Sequence, residues 1–189
     1  MKKAISLCLF FLLCGCLSFS DSPPSQFYML KTLPAEPLSQ AKLNIGIQEV
    51  QVPEYINRPQ IVTTQNAVEY NISEFNRWSS PLSGIVQRTL ASDMAYLLPK
   101  SFIKPSSVIS DNYTYTISLE INRFDGEFGK DAKLEVWWYI LNRAGTILYR
   151  GQSNLSQPTG TNYEELVSAQ SRLLAELAEQ IAKKIIILR

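Results

Sequence analysis

From Leu166 to Leu188 the large apolar residues recur at helical spacing. Leu166, Leu173, Leu177, Ile181, Ile185 and Leu188 form one stripe, and Val167 and Leu174 widen it. A helix this long with one apolar side needs another layer to bury that side. Each large side chain it buries contributes ~1.5–3 kcal/mol, so the helix should be central to the core. Thr161 or Asn162 can cap it, and Glu164 and Glu165 fall in its first turn, where negative charge complements the helix dipole. Lys183, Lys184 and Arg189 read as dipole complements at the other end, with membrane or anion binding as the alternative.

The rest of the chain supplies the opposing layer. Tyr113, Tyr115, Ile117, Leu119 and Ile121 alternate with Thr114, Thr116, Ser118 and Glu120, the pattern of a half-buried strand. Leu134–Leu141 repeats it, with Leu134, Val136, Trp138 and Ile140 on one face. Asn142-Arg143-Ala144-Gly145 then turns the chain into a hairpin partner, Thr146–Leu155. Earlier, Leu43–Val52 alternates through Leu43, Ile45 and Ile47 and then slips phase to Val50 and Val52. That slip predicts a bulge near Gln48-Glu49. Gln60–Thr64 and Ala67–Ile72 read as a short hairpin. Ser80 as cap and Pro81 at the first helical position open a second helix. It carries Leu82, Ile85, Val86, Leu90, Met94 and Leu97, and Pro99 stops it. The expectation is an α/β (α+β) sandwich: a mixed, largely antiparallel sheet of about six strands with both helices packed on it.

The first residues belong to a different class. Lys2 and Lys3 precede an apolar run, Ile5–Leu13, that would rise only ~14 Å as a helix, about half a bilayer core. This is a signal peptide rather than a membrane span. Its end, Leu13-Cys14-Gly15-Cys16, resembles the bacterial lipobox, whose Cys thiolate takes a diacylglyceryl group. The domain expectation is therefore a leader over 1–15, a lipidated tether over 16–26 and one domain over 27–189. The tether sequence LSFSDSPPSQ is small, polar and proline-containing. Cys8, Cys14 and Cys16 are the 3 cysteines, so the mature chain keeps Cys16 alone and has no intramolecular pair to form. One acyl chain holds a protein weakly, whereas two or three hold it firmly. Leu17 stands where Asp would favour inner-membrane retention in Gram-negative lipoproteins, so by resemblance the anchor lies in the outer membrane.

Composition narrows the chemistry. Lys and Arg total 18 against 17 Asp and Glu, which excludes a nucleic-acid binder relying on a basic surface. At 46% hydrophobic the chain is rich enough to build a core and is not a disordered chain. With His 0, a Ser-His-Asp triad, a Cys-His pair and a His-containing zinc site are impossible. Glu120, Asp125, Glu127 and Asp131 surround an expected turn over Phe124–Ala132. They read as a solvated loop, because EF-hand spacing is missing. No set of acid, base and nucleophile emerges, so the expectation is a non-enzyme that needs no cofactor beyond the lipid on Cys16.

The remaining candidates are contact residues. Trp137 and Tyr139 fall on the face opposite Trp138. If that face is open they form a patch suited to a partner, and if a helix covers it they are core. Arg58 and the Arg77-Trp78 step either pin loops or meet a partner, since Arg and Trp are enriched at interface hot spots.

Four stretches together resemble a family. Val50-Gln51-Val52-Pro53-Glu54-Tyr55-Ile56-Asn57-Arg58-Pro59-Gln60-Ile61-Val62-Thr63 is similar to the V-x-V-P-x-Y-L-D-R-P-Q-I-V stretch of PqiC-type lipoproteins, also called ABC-type transport auxiliary lipoproteins. Phe27-Tyr28-Met29-Leu30, Arg77-Trp78-Ser79-Ser80-Pro81-Leu82 and Arg123-Phe124-Asp125-Gly126 match the family's other signatures in order and spacing. Asn57 replaces the usual Asp, and Ile56 the usual Leu. The resemblance implies a periplasm-facing, outer-membrane lipoprotein. Such a protein works with a membrane-embedded subunit and a periplasmic mammalian-cell-entry (MCE) domain protein that carries lipid between membranes. The implied role is non-catalytic docking of that machine, in support of envelope integrity. A transport tube that ends in a ring would be matched by a homo-oligomeric collar. The alternatives are a periplasmic lipid-binding chaperone and an envelope-assembly lipoprotein.

Overall fold

The computed structural model describes residues 23–66, 68–107, 109–110 and 112–189. The expected leader over 1–15 and Cys16 lie outside the described residues. The chain runs through β1 (Gln26–Tyr28), β2 (Asn44–Ile47), β3 (Gln60–Thr64), β4 (Tyr70–Trp78), α1 (Leu82–Leu97), β5 (Phe102–Pro105), β6 (Tyr115–Gly126), β7 (Asp131–Leu141), β8 (Ile147–Pro158) and α2 (Tyr163–Leu188).

The α+β class holds, but the strands divide between two sheets. The larger has the order β5-β2-β6-β7-β8 and the smaller β1-β4-β3. Eight strands among the described residues, against about six expected, follow from two short ones, β1 and β5. Each is the edge of its sheet and joins a parallel neighbour. The expected bulge is present. Ile47 pairs with Ile117 and Gln51 with Glu120, so one strand spends four residues where its neighbour spends three.

Alternation decides what faces inward. Ile117, Leu119 and Ile121 of β6 and Leu134, Val136, Trp138 and Ile140 of β7 all point into the core. A register shift between Ile121 and Arg123 restarts the phase, so Phe124 is buried as well. The helices pack on each other, α1 along β5 and α2 across β6, β7 and β8. Trp137 lies on the opposite face, 39% exposed, between Glu120 and Gln152. That face is open, which decides between the two readings of Trp137 and Tyr139.

Two local expectations change, and at α2 one of the two expected caps is the one used. Ser80 does not cap α1. The cap position is Pro81, and the Ser80 hydroxyl instead accepts a hydrogen bond from Arg88 at 2.9 Å. At α2 the cap is Asn162, whose side chain accepts from the Glu165 amide, while the Glu165 carboxylate accepts from the Thr161 amide and the Asn162 side chain. The cations near the end of α2 have partners other than the dipole. Lys183 pairs with Glu179 at 2.6 Å, and the Lys184 ammonium lies 4.2 Å from the centre of the Tyr149 ring.

One buried charge sits under the connection that follows β1. Asp93 of α1 is 2% exposed, and its Oδ1 accepts the Leu33 amide at 2.8 Å. Its Oδ2 has no hydrogen-bond partner. Burial raises its pKa from 3.8 to about 6, and the Leu33 amide offsets part of that rise. Between pH 4 and 6 the folded chain therefore binds more protons here than the unfolded chain, so this residue's contribution to stability falls as pH rises through that window. Asp93→Asn does not titrate. The stability of the variant relative to the natural chain should rise by about 2 kcal/mol between pH 4 and pH 7.5, after allowance for solvent screening. Thermal melts of both proteins across that range check this. A constant difference would contradict it.

Candidate functional site

The sequence stretches that suggested a family come together in space. The chain leaves the Gln51 bridge, turns at Pro53 and passes Tyr55, Ile56 and Arg58 before entering β3. The Pro53 carbonyl accepts from the amides of Ile56 and Asn57, which shapes the turn. Ile56 is buried and holds the loop against the core. Tyr55 reaches across to β6 and donates its hydroxyl to Asp125 Oδ2 at 2.8 Å. Arg123 Nε donates to the other oxygen of the same carboxylate at 3.0 Å.

Asp125 is fully buried, which corrects the expected solvated loop. Phe124, Asp125 and Gly126 belong to β6, and the turn between β6 and β7 is only residues 127–130. Glu127 in that turn pairs with Lys130 at 2.7 Å. Two of the four acids are thus satisfied by cations of the chain itself, and the set is structural. Burial and then the hydrogen bond to Asp125 push the Tyr55 phenol far up, so it stays a donor at any physiological pH. Burial works against the Arg123 charge, but the hydrogen bond and charge of Asp125 outweigh it and its pKa rises. A buried carboxylate with two donors, one of them cationic, is a stable arrangement. It clamps the loop over 53–58 to the large sheet.

The clamped loop faces the end of β4. The Trp78 amide donates to the Pro59 carbonyl at 2.7 Å, and Gln60 pairs with Arg77. From the other side β1 pairs in parallel, with Phe27 opposite Arg77 and Tyr28 opposite Trp78. The Ser79 amide then donates to the Tyr28 carbonyl at 2.9 Å. Between residues 57–59 and 78–82 this leaves a surface groove of about 370 Å³. Trp78 is 5% exposed and lies deep in it, while Arg58 and Pro59 form one wall and the start of α1 the other. No carboxylate lines the groove. The Nε atoms of Arg58 and Arg77 are buried without a hydrogen-bond partner among the described residues.

Arg58 and Trp78 therefore share the groove, with Arg77 one residue away on β4. Trp137 and Tyr139 are on β7 of the other sheet and do not join them. The groove offers guanidinium, amide, hydroxyl and apolar surface. Two of its supports escaped the sequence reading: the register of β1 against β4 and the Tyr55–Asp125 contact.

A family model for the "ABC-type transport auxiliary lipoprotein component" matches residues 28–182. The chain belongs to this family. The chain is similar to the "Intermembrane transport lipoprotein PqiC" of Escherichia coli, 24% identical over 98% of both chains, and to the protein of that name from Shigella flexneri with the same figures. The fold recurs in the crystal structure of an uncharacterized protein, with TM-score 0.74, 21% identity and coverage of 86% of this chain and 99% of that one. It recurs also in a Xanthomonas campestris protein, with TM-score 0.70, 12% identity and coverage of 86% and 95%. The matched residues, 28–182, take in the clamp, the groove and α2 as far as Ala182. By its family the protein is an auxiliary lipoprotein component of ABC-type transport.

Proposed function

We propose that the protein is the outer-membrane-anchored, periplasm-facing subunit of an MCE-domain lipid transport system, held by acyl chains on Cys16, and that its groove docks the transporter. The observation that carries this reading is the convergence of the Val50–Thr63, Arg77–Leu82 and Arg123–Gly126 stretches on one groove and its clamp. The relatives' name, intermembrane transport lipoprotein, supports the setting. The role is to position and retain, since the groove presents Arg and Trp surface and no reacting pair. Lipid anchoring confines copies to one plane and raises their effective concentration, which favours a homo-oligomeric collar around the end of a transport tube.

Arg58 is the residue to test. It lines the groove, is partly exposed, and its Nε has no hydrogen-bond partner among the described residues. Arg58→Glu should fold with unchanged thermal stability and recover at least tenfold less MCE-domain protein on co-purification, a loss of ~1.4 kcal/mol or more. A variant that folds and binds normally removes Arg58 from the interface. One that unfolds assigns it to pinning the loop.

A further inference from the structure

The edge strand nearest the anchor leaves two large apolar side chains uncovered. Phe27 is 66% exposed and Met29 58%. Between and after them, Tyr28 and Leu30 turn inward. Tyr28 rests against Tyr163 with ring centres 6.3 Å apart, and Leu30 is 5% exposed. Strand alternation thus sets Phe27 and Met29 together on the outer side. Cations accompany them: Arg77 is the register partner of Phe27, and Lys31 follows at an exposed position. The one carboxylate in the cleft beside this edge is Glu164, on the α2 side, where its charge adds to the effect of burial in raising the Tyr28 pKa.

We infer that the β1 edge, through Phe27 and Met29 with Lys31 and Arg77 beside them, is a contact site for the phospholipid surface. The inference rests on the Cys16 anchor proposed above. Ten residues lie between Cys16 and Phe27, making eleven steps from one Cα to the next. Fully extended, those eleven steps span at most about 40 Å. The β1 edge is therefore the part of the domain held closest to the bilayer, and its two uncovered apolar residues meet the interface at high effective concentration. Apolar side chains flanked by Lys and Arg suit a surface of acyl chains beneath phosphate groups. Contact here also sets the domain's orientation. Tyr163, at the start of α2, touches Tyr28, so Ile187 lies about 36 Å along the helix from that contact.

The test uses the full chain, matured and lipidated in cells and reconstituted into phosphatidylethanolamine–phosphatidylglycerol vesicles that carry a lipid-attached quencher. Acylation consumes the Cys16 thiol, so Phe27→Cys takes a single environment-sensitive dye. Met29→Cys serves as a second position if the first misfolds. Ile187→Cys, 74% exposed in the natural chain, is the distal control. The dye at 27 or 29 should be quenched at least threefold more strongly than the dye at 187. Equal quenching, or none at 27 and 29, in protein that floats with the vesicles overturns the contact and keeps the anchor. A dye shielded from aqueous iodide but not quenched by lipid means that a protein covers the edge, and this also overturns it. Protein that takes up no fatty acid and does not float removes the anchor and the inference with it.

Discussion

Cys16→Ser is expected to abolish fatty-acid incorporation and to leave the full-length precursor uncut by the lipoprotein signal peptidase. The hydroxyl is not the thiolate that attacks the diacylglyceryl donor, and the cut follows lipidation. Loss of the anchor is total rather than graded. Each buried CH₂ contributes ~0.8 kcal/mol, so two or three acyl chains hold a protein that none would hold. Metabolic labelling with a radioactive fatty acid, together with the mobility of the precursor, checks both effects. Label retained on the variant would contradict the assignment of Cys16.

Gly151→Val carries the largest expected effect on stability. Gly151 lies opposite Trp138 in the β7–β8 register. A Cβ at 151 would fall within the Trp138 ring, so the indole occupies the space that any other residue's side chain would need. The ring has no easy retreat. Trp138 is 4% exposed, and its Nε1 donates to Ser153 Oγ at 3.0 Å. Ser153 in turn donates to Gln180 Oε1 at 2.6 Å, which ties the β7–β8 hairpin to α2. Displacing the indole combines overpacking, ~1–3 kcal/mol, with a lost buried hydrogen bond, ~1 kcal/mol. A total near 3 kcal/mol lowers Tm by roughly 10 °C in a domain of this size. Calorimetry or thermal circular dichroism measures it. A Tm within 2 °C of the natural chain would show that the edge strand β8 moves aside without cost.

Much of this fold is legible in the sequence because its main elements are long and regular. The β6 and β7 alternations and the α2 stripe repeat one period often enough that burial follows directly. Ile117, Leu134 and Leu177 are fully buried as their spacing predicts. The bulge before Val50 is legible because a slip in a period of two is unambiguous. What escapes is what depends on distant partners. β1 has three residues and exists as a strand only because Phe27 meets Arg77 across the intervening chain. Asp125 sits in a stretch rich in charge and glycine that reads locally as a turn. It is buried because Tyr55, seventy positions away, and Arg123 satisfy its two oxygens. Ser80 is a good cap by residue type, but Arg88 holds its hydroxyl. The same limit applies to the groove. Its motif residues are visible in the sequence, while their convergence needs the β3–β4–β1 register.

In the role proposed above, the protein docks a transporter and does not itself carry lipid. Affinity purification of the intact lipidated chain from envelopes under mild detergent, followed by identification of bound proteins and solvent extraction of bound lipid, separates docking from carriage. Docking predicts co-purified MCE-domain protein, reduced by Arg58→Glu, and no lipid in stoichiometric amount beyond the acyl chains on Cys16. A chain recovered without the MCE-domain protein and with one extractable lipid per molecule would contradict it and make the protein a carrier.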